Sequence, residues 1–557
     1  MQLTPGIQVA ASATAWCRLN FFSRIVVCLF SAIGSACSQS EKSASSGTPT
    51  TSAAQILRIS QRNEPSDLDP ATTTLPDEFF ILRALCEGLL IPDPAGGAPL
   101  PAAAANYDVS ADGLIYTFHL RPAATWSDGS PVTAADFVAS YRRILTPGTA
   151  APKAQLFDAV KNARAFLTGV VTDFSTVGFA APTPLTFVVT LSQPSPRFPY
   201  YVASGPWLPV NSRAVAQHGR TWTQPGHFVG NGPFTLVEWR QQQRIIVKKN
   251  PRYRAAAAVH LDEIQFIRLD SGDTEERAYR AGQVDVTMSV PFTKIEPYQR
   301  DRPAEFHRAP LAETRYLSFN TQRPPLNDAR VRRALSLAID RKKIVERITR
   351  GGQTPSENFS PVPPDSALVT REPSPWQPRL DPPLAARLLA EAGFPGGKNF
   401  PRFELTAWSP SQVAVLEALQ AMWREHLGIA VTIAIREAKI HLSALAAGTY
   451  DLAFVTTLVD VADATAVLSE FTTGAPGNYP HWSDATYDER LVRLAATREP
   501  GARAALQTQA DEHLLREAVV APLYRNTRTW LMSPRVHGWS EDAFWSRHYS
   551  GVRMDAK

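Results

Sequence analysis

An apolar run late in the chain, Leu452-Ala453-Phe454-Val455, is followed by two carboxylates, Asp460 and Asp463, in the loop Thr456 to Thr465. The run reads as a buried strand. Ligands of open α/β sheets bind in the crevice beyond the carboxyl ends of the strands, so this pair is a candidate for meeting a positively charged ligand group. The plainer use of such acids is to solvate the loop or cap the next helix. A third acid, Glu78 in Pro76-Asp77-Glu78-Phe79-Phe80, stands where a carboxylate faces a helix N-terminus favourably.

Arrangements that would mark an enzyme are missing. The chain has no His-Glu-x-x-His helix, no Gly-x-Ser-x-Gly elbow and no Cys-x-x-Cys cluster, the patterns that place a metal, a nucleophile or a thiol pair. Its 11 histidines are scattered. His119 falls in a strand pattern and His218, His227 and His537 near turns, so solvated or packing roles are favoured over ligation. No catalytic residue, metal or cofactor is assigned. Trp408, Trp423, Trp482, Trp530, Trp539 and Trp545 offer faces for stacking on sugar rings, but Trp423 lies on the apolar face of a helical pattern, and packing is the simpler use of the set.

These residues need elements to hold them. A length of 557 residues exceeds what one core organises, and 44% hydrophobic content can fill two or three. The formal charge of +5 is small for that length and its basic residues lie among nearly as many acids, so no electrostatic footprint for nucleic acid stands out. Of the four cysteines, Cys17, Cys28 and Cys37 precede the folded body and Cys86 stands alone within it. An internal disulfide is therefore excluded there, and Cys86, in an apolar run, reads as a buried structural thiol.

The N-terminus reads as an export signal. Arg18 and Arg24 precede the apolar stretch Ile25 to Ile33, then come Gly34-Ser35-Ala36 and Cys37. The stretch is too short to span a bilayer as a mature helix. Ser38 to Ala54 is Ser/Thr/Ala-rich with little to bury and reads as a flexible tether.

Past Gln55 the early strands are Ile56 to Ile59, Ile115 to Leu120 and Leu185 to Leu191, with turns at Asp112-Gly113, Asp128-Gly129 and Asn231-Gly232. After about residue 325 helices alternate with strands. Asn327 or Asp328 can cap a helix through Val331, Leu335, Ala338 and Ile339 that Arg341 to Lys343 extend. Val413, Leu416, Leu419, Trp423 and Leu427 form one face of a helix that Gly428 can end, before a strand from Ile429 to Ile435. A second helix ends near Gly448. This alternation predicts an α/β lobe with a substantially parallel sheet.

Several ordered blocks resemble the peptide/nickel-binding family of extracytoplasmic solute-binding proteins that serve ABC importers, with oligopeptide-binding proteins nearest. They are Ser66-Asp67-Leu68-Asp69-Pro70, Cys86-Glu87-Gly88-Leu89-Leu90, Tyr116 to Arg121, Trp126-Ser127-Asp128-Gly129 through Asp136-Phe137, Asn231-Gly232-Pro233-Phe234, Lys249 to Tyr253, Tyr279 to Asp285, and Phe319 to Arg341. Together they cover nearly the whole chain after Gln55.

The resemblance implies an α/β, two-lobed periplasmic-binding-protein-like clamp with an extra third domain, closing on a ligand about a hinge. Residues 1–37 become a signal peptide of lipoprotein type and 38–54 the tether. Lobe I takes 55–91, 210–311 and 525–557, the extra domain 92–209, and lobe III 312–524. Cys37 is the implied site of lipid attachment, the membrane being reached through that anchor. Asp460 matches the aspartate that holds a peptide's amine, and Glu78 matches an acid near the ligand. The implied partners are an oligopeptide and the ABC permease of the inner membrane; the protein is expected to be a monomer in the periplasm that catalyses nothing.

Some positions depart from the family's pattern. Ala438 and Thr457 stand where tryptophans are common, Phe454 and Leu445 where an oligopeptide binder has other lining, and Val461 follows Asp460 in place of tyrosine. Ala312 and Leu458 replace a cysteine pair, and Arg254 replaces a tryptophan. The altered lining leaves a different peptide length, an oligosaccharide or a metal complex as the alternative ligand, and peptide sensing as the alternative role.

Overall fold

The computed structural model describes residues 54–94, 97–362, 374–457, 459, 461, 463–497 and 499–555. Cys37, Asp460 and Leu458 lie outside the described residues. Three sheets of four or more strands organise the rest.

In the first sheet, Ile56–Gln61 runs parallel to Glu263–Arg268, which continues antiparallel through Arg244–Lys249 to Phe234–Arg240. Its inward residues Leu57, Ile59, Val247, Ile264 and Phe266 pack with Phe80, Leu82 and Leu85 of the helix Pro76–Leu85. The Asn231-Gly232 turn holds the end of that helix. Asn231 accepts from the Glu87 N–H at 2.9 Å and donates to the Glu87 carbonyl at 2.8 Å, while the Gly232 N–H donates to the Leu85 carbonyl at 2.9 Å. Cys86 is buried there as a free thiol, its proton affinity raised to about 12 by burial and then by the nearby Asp69 carboxylate.

The second sheet is antiparallel, in the order Ala104–Val109, Ile115–Leu120, Thr186–Thr190, Phe179–Thr183. Tyr116, Phe118 and Leu120 are buried and alternate with residues that are not, as expected of a sheet with one face on a core. That core holds Trp126, Phe137, Tyr141 and the stacked pair Phe157 and Trp207, whose ring centroids lie 4.3 Å apart.

The third sheet has six strands in the order Thr354–Pro355, Val520–Leu531, Phe306–Phe319, Leu452–Thr456, Phe403–Ala407, Val431–Ile435. The parallel pairings join Leu452–Thr456, Phe403–Ala407 and Val431–Ile435; the other pairs are antiparallel. The sheet is thus mixed where strand-helix alternation predicted a mostly parallel one. Two of its strands enter and leave the lobe as a pair, and such a pair must run antiparallel. The helix Val413–Leu427 seals one face with Leu416, Leu419 and Trp423, the indole N–H donating to the Leu335 carbonyl at 2.9 Å, and Gly428 ends it at φ 68°. The helix expected to run on through Arg341 to Lys343 stops at Leu337. Asp340 caps a fresh turn by accepting from the Lys343 N–H at 2.8 Å, and the buried Arg341 guanidinium donates to the Pro522 and Ser336 carbonyls.

Phe306–Phe319 and Val520–Leu531 form the long ribbon of this sheet, paired from Phe306 with Leu531 to Ser318 with Val520. At its far end Val286 bridges Ile59 of the first sheet and Met532 beyond the ribbon, and the Thr287 N–H donates to the Leu531 carbonyl at 2.9 Å. The ribbon therefore joins the first and third sheets.

A Cβ at position 232 would lie 2.5 Å from the Leu85 carbonyl carbon and 2.6 Å from the Cys86 nitrogen, and backbone cannot swing aside. Gly232→Ala is expected to cost about 1–3 kcal/mol in urea-induced unfolding, whereas Gly148→Ala, where a Cβ meets nothing within 4 Å, should stay within about 0.5 kcal/mol of wild type.

Candidate ligand-binding cleft

The ribbon's register shifts at two places, a one-residue slip between Arg315 and Tyr316 and a wider break between Pro310 and Thr314. Pro310 pairs with Thr527 and Thr314 with Arg525, so Leu311, Ala312 and Glu313 stand against Asn526 alone. A bulge of this kind re-aims side chains out of the ladder. Ala312 takes its hydrogen bond elsewhere, its N–H donating to the Ala543 carbonyl at 2.9 Å, and the displaced segment faces a cleft. Pro76, Phe79 and Arg83 of the first helix, Gly205, Ala312, Glu313, Val459 and the tail residues Phe544, Trp545 and Ser546 line it. Gly205 is required by contact: a Cβ there would sit 2.3 Å from the Phe79 ring.

Two charged groups face this space. Arg83 donates to the Ala203 carbonyl at 3.2 Å. Glu313 accepts from Trp545 Nε1 at 2.5 Å through Oε1 and from Asn526 Nδ2 at 2.8 Å through Oε2, with Arg315 Nη2 3.4 Å from Oε2. Trp545 holds this position with its backbone at φ 60°, a conformation that a bulky side chain adopts at a cost. Its ring packs near Phe80 and lies 5.5 Å from the Arg528 guanidinium carbon.

The carboxyl ends of the three parallel strands meet beside the ribbon. Trp408 follows Phe403–Ala407, Arg436 follows Val431–Ile435 and Thr457 follows Leu452–Thr456. The Trp408 ring lies 5.2 Å from the Arg315 guanidinium carbon, 5.7 Å from His441 and 5.9 Å from Phe454. His441 is buried on the helix Ala438–Ala446, which Glu437 caps by accepting from the Lys439 and Ile440 N–H groups. Burial lowers the imidazole's proton affinity to about 4, with Arg436 adding to the effect and the Phe454 backbone opposing it, so the ring is neutral at pH 7. Thr457 is tied to the ribbon, its hydroxyl accepting from the Thr314 N–H at 2.8 Å and its own N–H donating to the Thr314 carbonyl at 3.1 Å.

Of the acids marked in the sequence, Asp463 caps the helix Ala464–Ser469 by accepting from the Thr465 N–H at 2.8 Å, and its other oxygen accepts from the Tyr201 hydroxyl at 2.8 Å. Tyr201 belongs to the helix Phe198–Val202, and Val461 packs with the core of the second sheet. The loop after Leu452–Thr456 thus spans from the third sheet to the body built on the second. Glu78 is buried on the helix whose Pro76, Phe79 and Arg83 line the cleft. Its own carboxylate accepts from the Thr74 and Leu75 N–H groups at 3.1 and 3.0 Å. Burial raises its proton affinity above the usual carboxylate range against the pull of those two donors.

Sequence reasoning passes over Phe79, Arg83 and Glu313, and assigns Trp545 with the other tryptophans to packing. The available signal was Glu313 and Arg315, two opposite charges at alternate positions of a strand pattern. Arg254, marked as a departure, ion-pairs at 2.6 Å with buried Glu87, which also accepts from the Tyr253 hydroxyl. Trp423, Trp482 and Trp530 are buried, whereas Trp545 reaches the cleft.

The sequence profile of bacterial extracellular solute-binding proteins, family 5 Middle, matches residues 98–479. The periplasmic oligopeptide-binding protein OppA of Escherichia coli is 32% identical over 492 residues, 87% of this chain and 90% of that protein. The probable deoxycholate-binding periplasmic protein YgiS of the same organism is 34% identical over 491 residues, with the same coverage of both chains. Among solved structures, the E. coli murein tripeptide binding protein MppA matches with a TM-score of 0.84 at 30% identity, over 90% of this chain and 99% of that one. Its unliganded open form matches with a TM-score of 0.68. Mixed α/β architecture, three bodies around a ribbon and these matches agree: the chain belongs to family 5 of the bacterial extracellular solute-binding proteins, transport components that bind a solute and catalyse nothing.

Proposed function

We propose that this chain, the solute-binding component of an ABC importer, captures peptides in the cleft between its lobes and hands them to the permease. The observation that carries this reading is the cleft itself, whose walls come from a helix of one lobe, the ribbon, the C-terminal tail and the loop at Val459. Separating the lobes would open it. The first sheet with 55–91, 210–311 and 525–557 serves as lobe I, 92–209 as the extra domain, and 312–524 as lobe III. The contact of Asp463 with Tyr201 and the lower similarity to the open MppA form support a closed arrangement. Closure driven by ligand requires that the ligand bind the closed state better than the open one.

A general peptide binder anchors the α-amine with an acid and leaves side chains in pockets. Asp460 follows Val459 in the chain and takes that role; a charge-assisted hydrogen bond there contributes about 1.5–3 kcal/mol. Glu78 serves from behind the wall, holding the loop at the start of the helix that carries Phe79 and Arg83. A second reading, an amphipathic carboxylate in place of a peptide, is favoured by the aromatic lining, by Arg83 and by the likeness to YgiS. Cys37 takes a lipid that anchors the periplasmic protein at the membrane.

Protein refolded to remove carried ligand should gain about 2.7 kcal/mol of stability at a hundredfold excess over Kd, read as a thermal shift with peptide pools. Asp460→Ala should abolish that shift; a shift with deoxycholate and none with any peptide would sink the peptide assignment. Tyr201→Phe removes one hydrogen bond made across the closed arrangement and should weaken peptide binding by about fivefold, roughly 1 kcal/mol, by calorimetry, with more open molecules in spin-label distances. Cys37→Ser should move the protein from the membrane fraction to the soluble periplasmic fraction, and an unchanged distribution would exclude the anchor.

A further inference from the structure

We infer that Glu313 is a specificity-determining residue of the cleft, the counter-ion for a positively charged side chain of the ligand. The inference rests on the peptide reading and adds to it: the α-amine goes to Asp460, and a second cation, lysine-like or arginine-like, goes to Glu313.

The carboxylate is buried, with 3% of the residue exposed, yet it lines the cleft because the ribbon bulges there. Burying a charge is costly unless it is both paired and hydrogen-bonded. Two of its donors, Trp545 Nε1 and Asn526 Nδ2, are neutral. The one cation within ion-pair distance among the described residues is Arg315, at 3.4 Å, and that guanidinium also lies over the Trp408 ring. A carboxylate offers about four acceptor sites, so Glu313 retains capacity for a further donor. Phe79, Phe544 and Trp545 line the same space, and aromatic rings near a desolvated ammonium or guanidinium add attraction of their own.

The arrangement also disfavours alternatives. A ligand carboxylate brought to this wall meets a buried like charge, and a purely aliphatic side chain leaves the carboxylate as underpaired as before.

Tripeptides carrying lysine, norleucine or glutamate at each position in turn, with free and acetylated amines, test this by calorimetry on the refolded protein. Wild type should bind the best lysine peptide about tenfold more tightly than its norleucine twin and reject the glutamate one. Glu313→Gln should bring lysine and norleucine within about twofold while keeping the preference for a free over an acetylated amine. Asp460→Asn should do the reverse. Equal affinity of wild type for lysine and norleucine, which needs no variant to fold, overturns the inference, as does a lysine preference that survives in folded Glu313→Gln. Wild type that binds no peptide of any charge overturns the peptide reading and this inference with it.

Discussion

The antiparallel pairing of Phe306–Phe319 with Val520–Leu531 is the constraint on which the rest of the molecule depends. Backbone hydrogen bonds along a strand pair set spacing and register with little freedom, and here they extend from the third sheet to the edge of the first. Everything that meets in the cleft is referred to this ribbon. The helix Pro76–Leu85 is held to the first sheet by apolar packing and by the Asn231-Gly232 turn. The loop after Leu452–Thr456 is held to the ribbon through Thr457 and Thr314. The tail is held at Ala543 and Trp545. The bulge at Leu311 to Glu313 brings Ala312 and Glu313 to the lining of the cleft.

Charge in the interior follows the same logic. Several buried carboxylates sit where one segment docks against another distant in sequence. Glu87 receives Arg254 and Tyr253, Asp285 receives Arg58, and Asp69 receives Arg143. Each pair is hydrogen-bonded at more than one atom, which offsets the loss of water around the ions. Glu313 differs in having neutral donors at close range and its cation farther off, and in lining a cleft.

Much of the fold was legible in the sequence because it rests on period and punctuation. Alternation marked Ile115–Leu120, helical spacing marked Val413–Leu427, and Gly428 and Gly448 stand at positive φ beyond their helices. What could not be read has a common cause: it depends on contacts between segments far apart in the chain. The break after Leu337 comes from Arg341 reaching Pro522, and the mixed sheet comes from a strand pair separated by about two hundred residues of intervening chain. The cleft was only partly legible. Acids after a strand point to a crevice by a general rule, whereas Glu313 is aimed by a bulge that spacing does not announce. Arg254 seemed a loss of aromatic lining from the sequence and is a partner for Glu87 in the fold.

Trp545 belongs to the C-terminal tail, and its indole edge completes the wall at Glu313. Two other walls, the helix Pro76–Leu85 and the bulge at Leu311 to Glu313, lie hundreds of residues earlier in the chain. The cleft therefore has no local rudiment: its wall at Glu313 takes shape only when the tail docks on the ribbon, after segments far apart in the chain have been brought together.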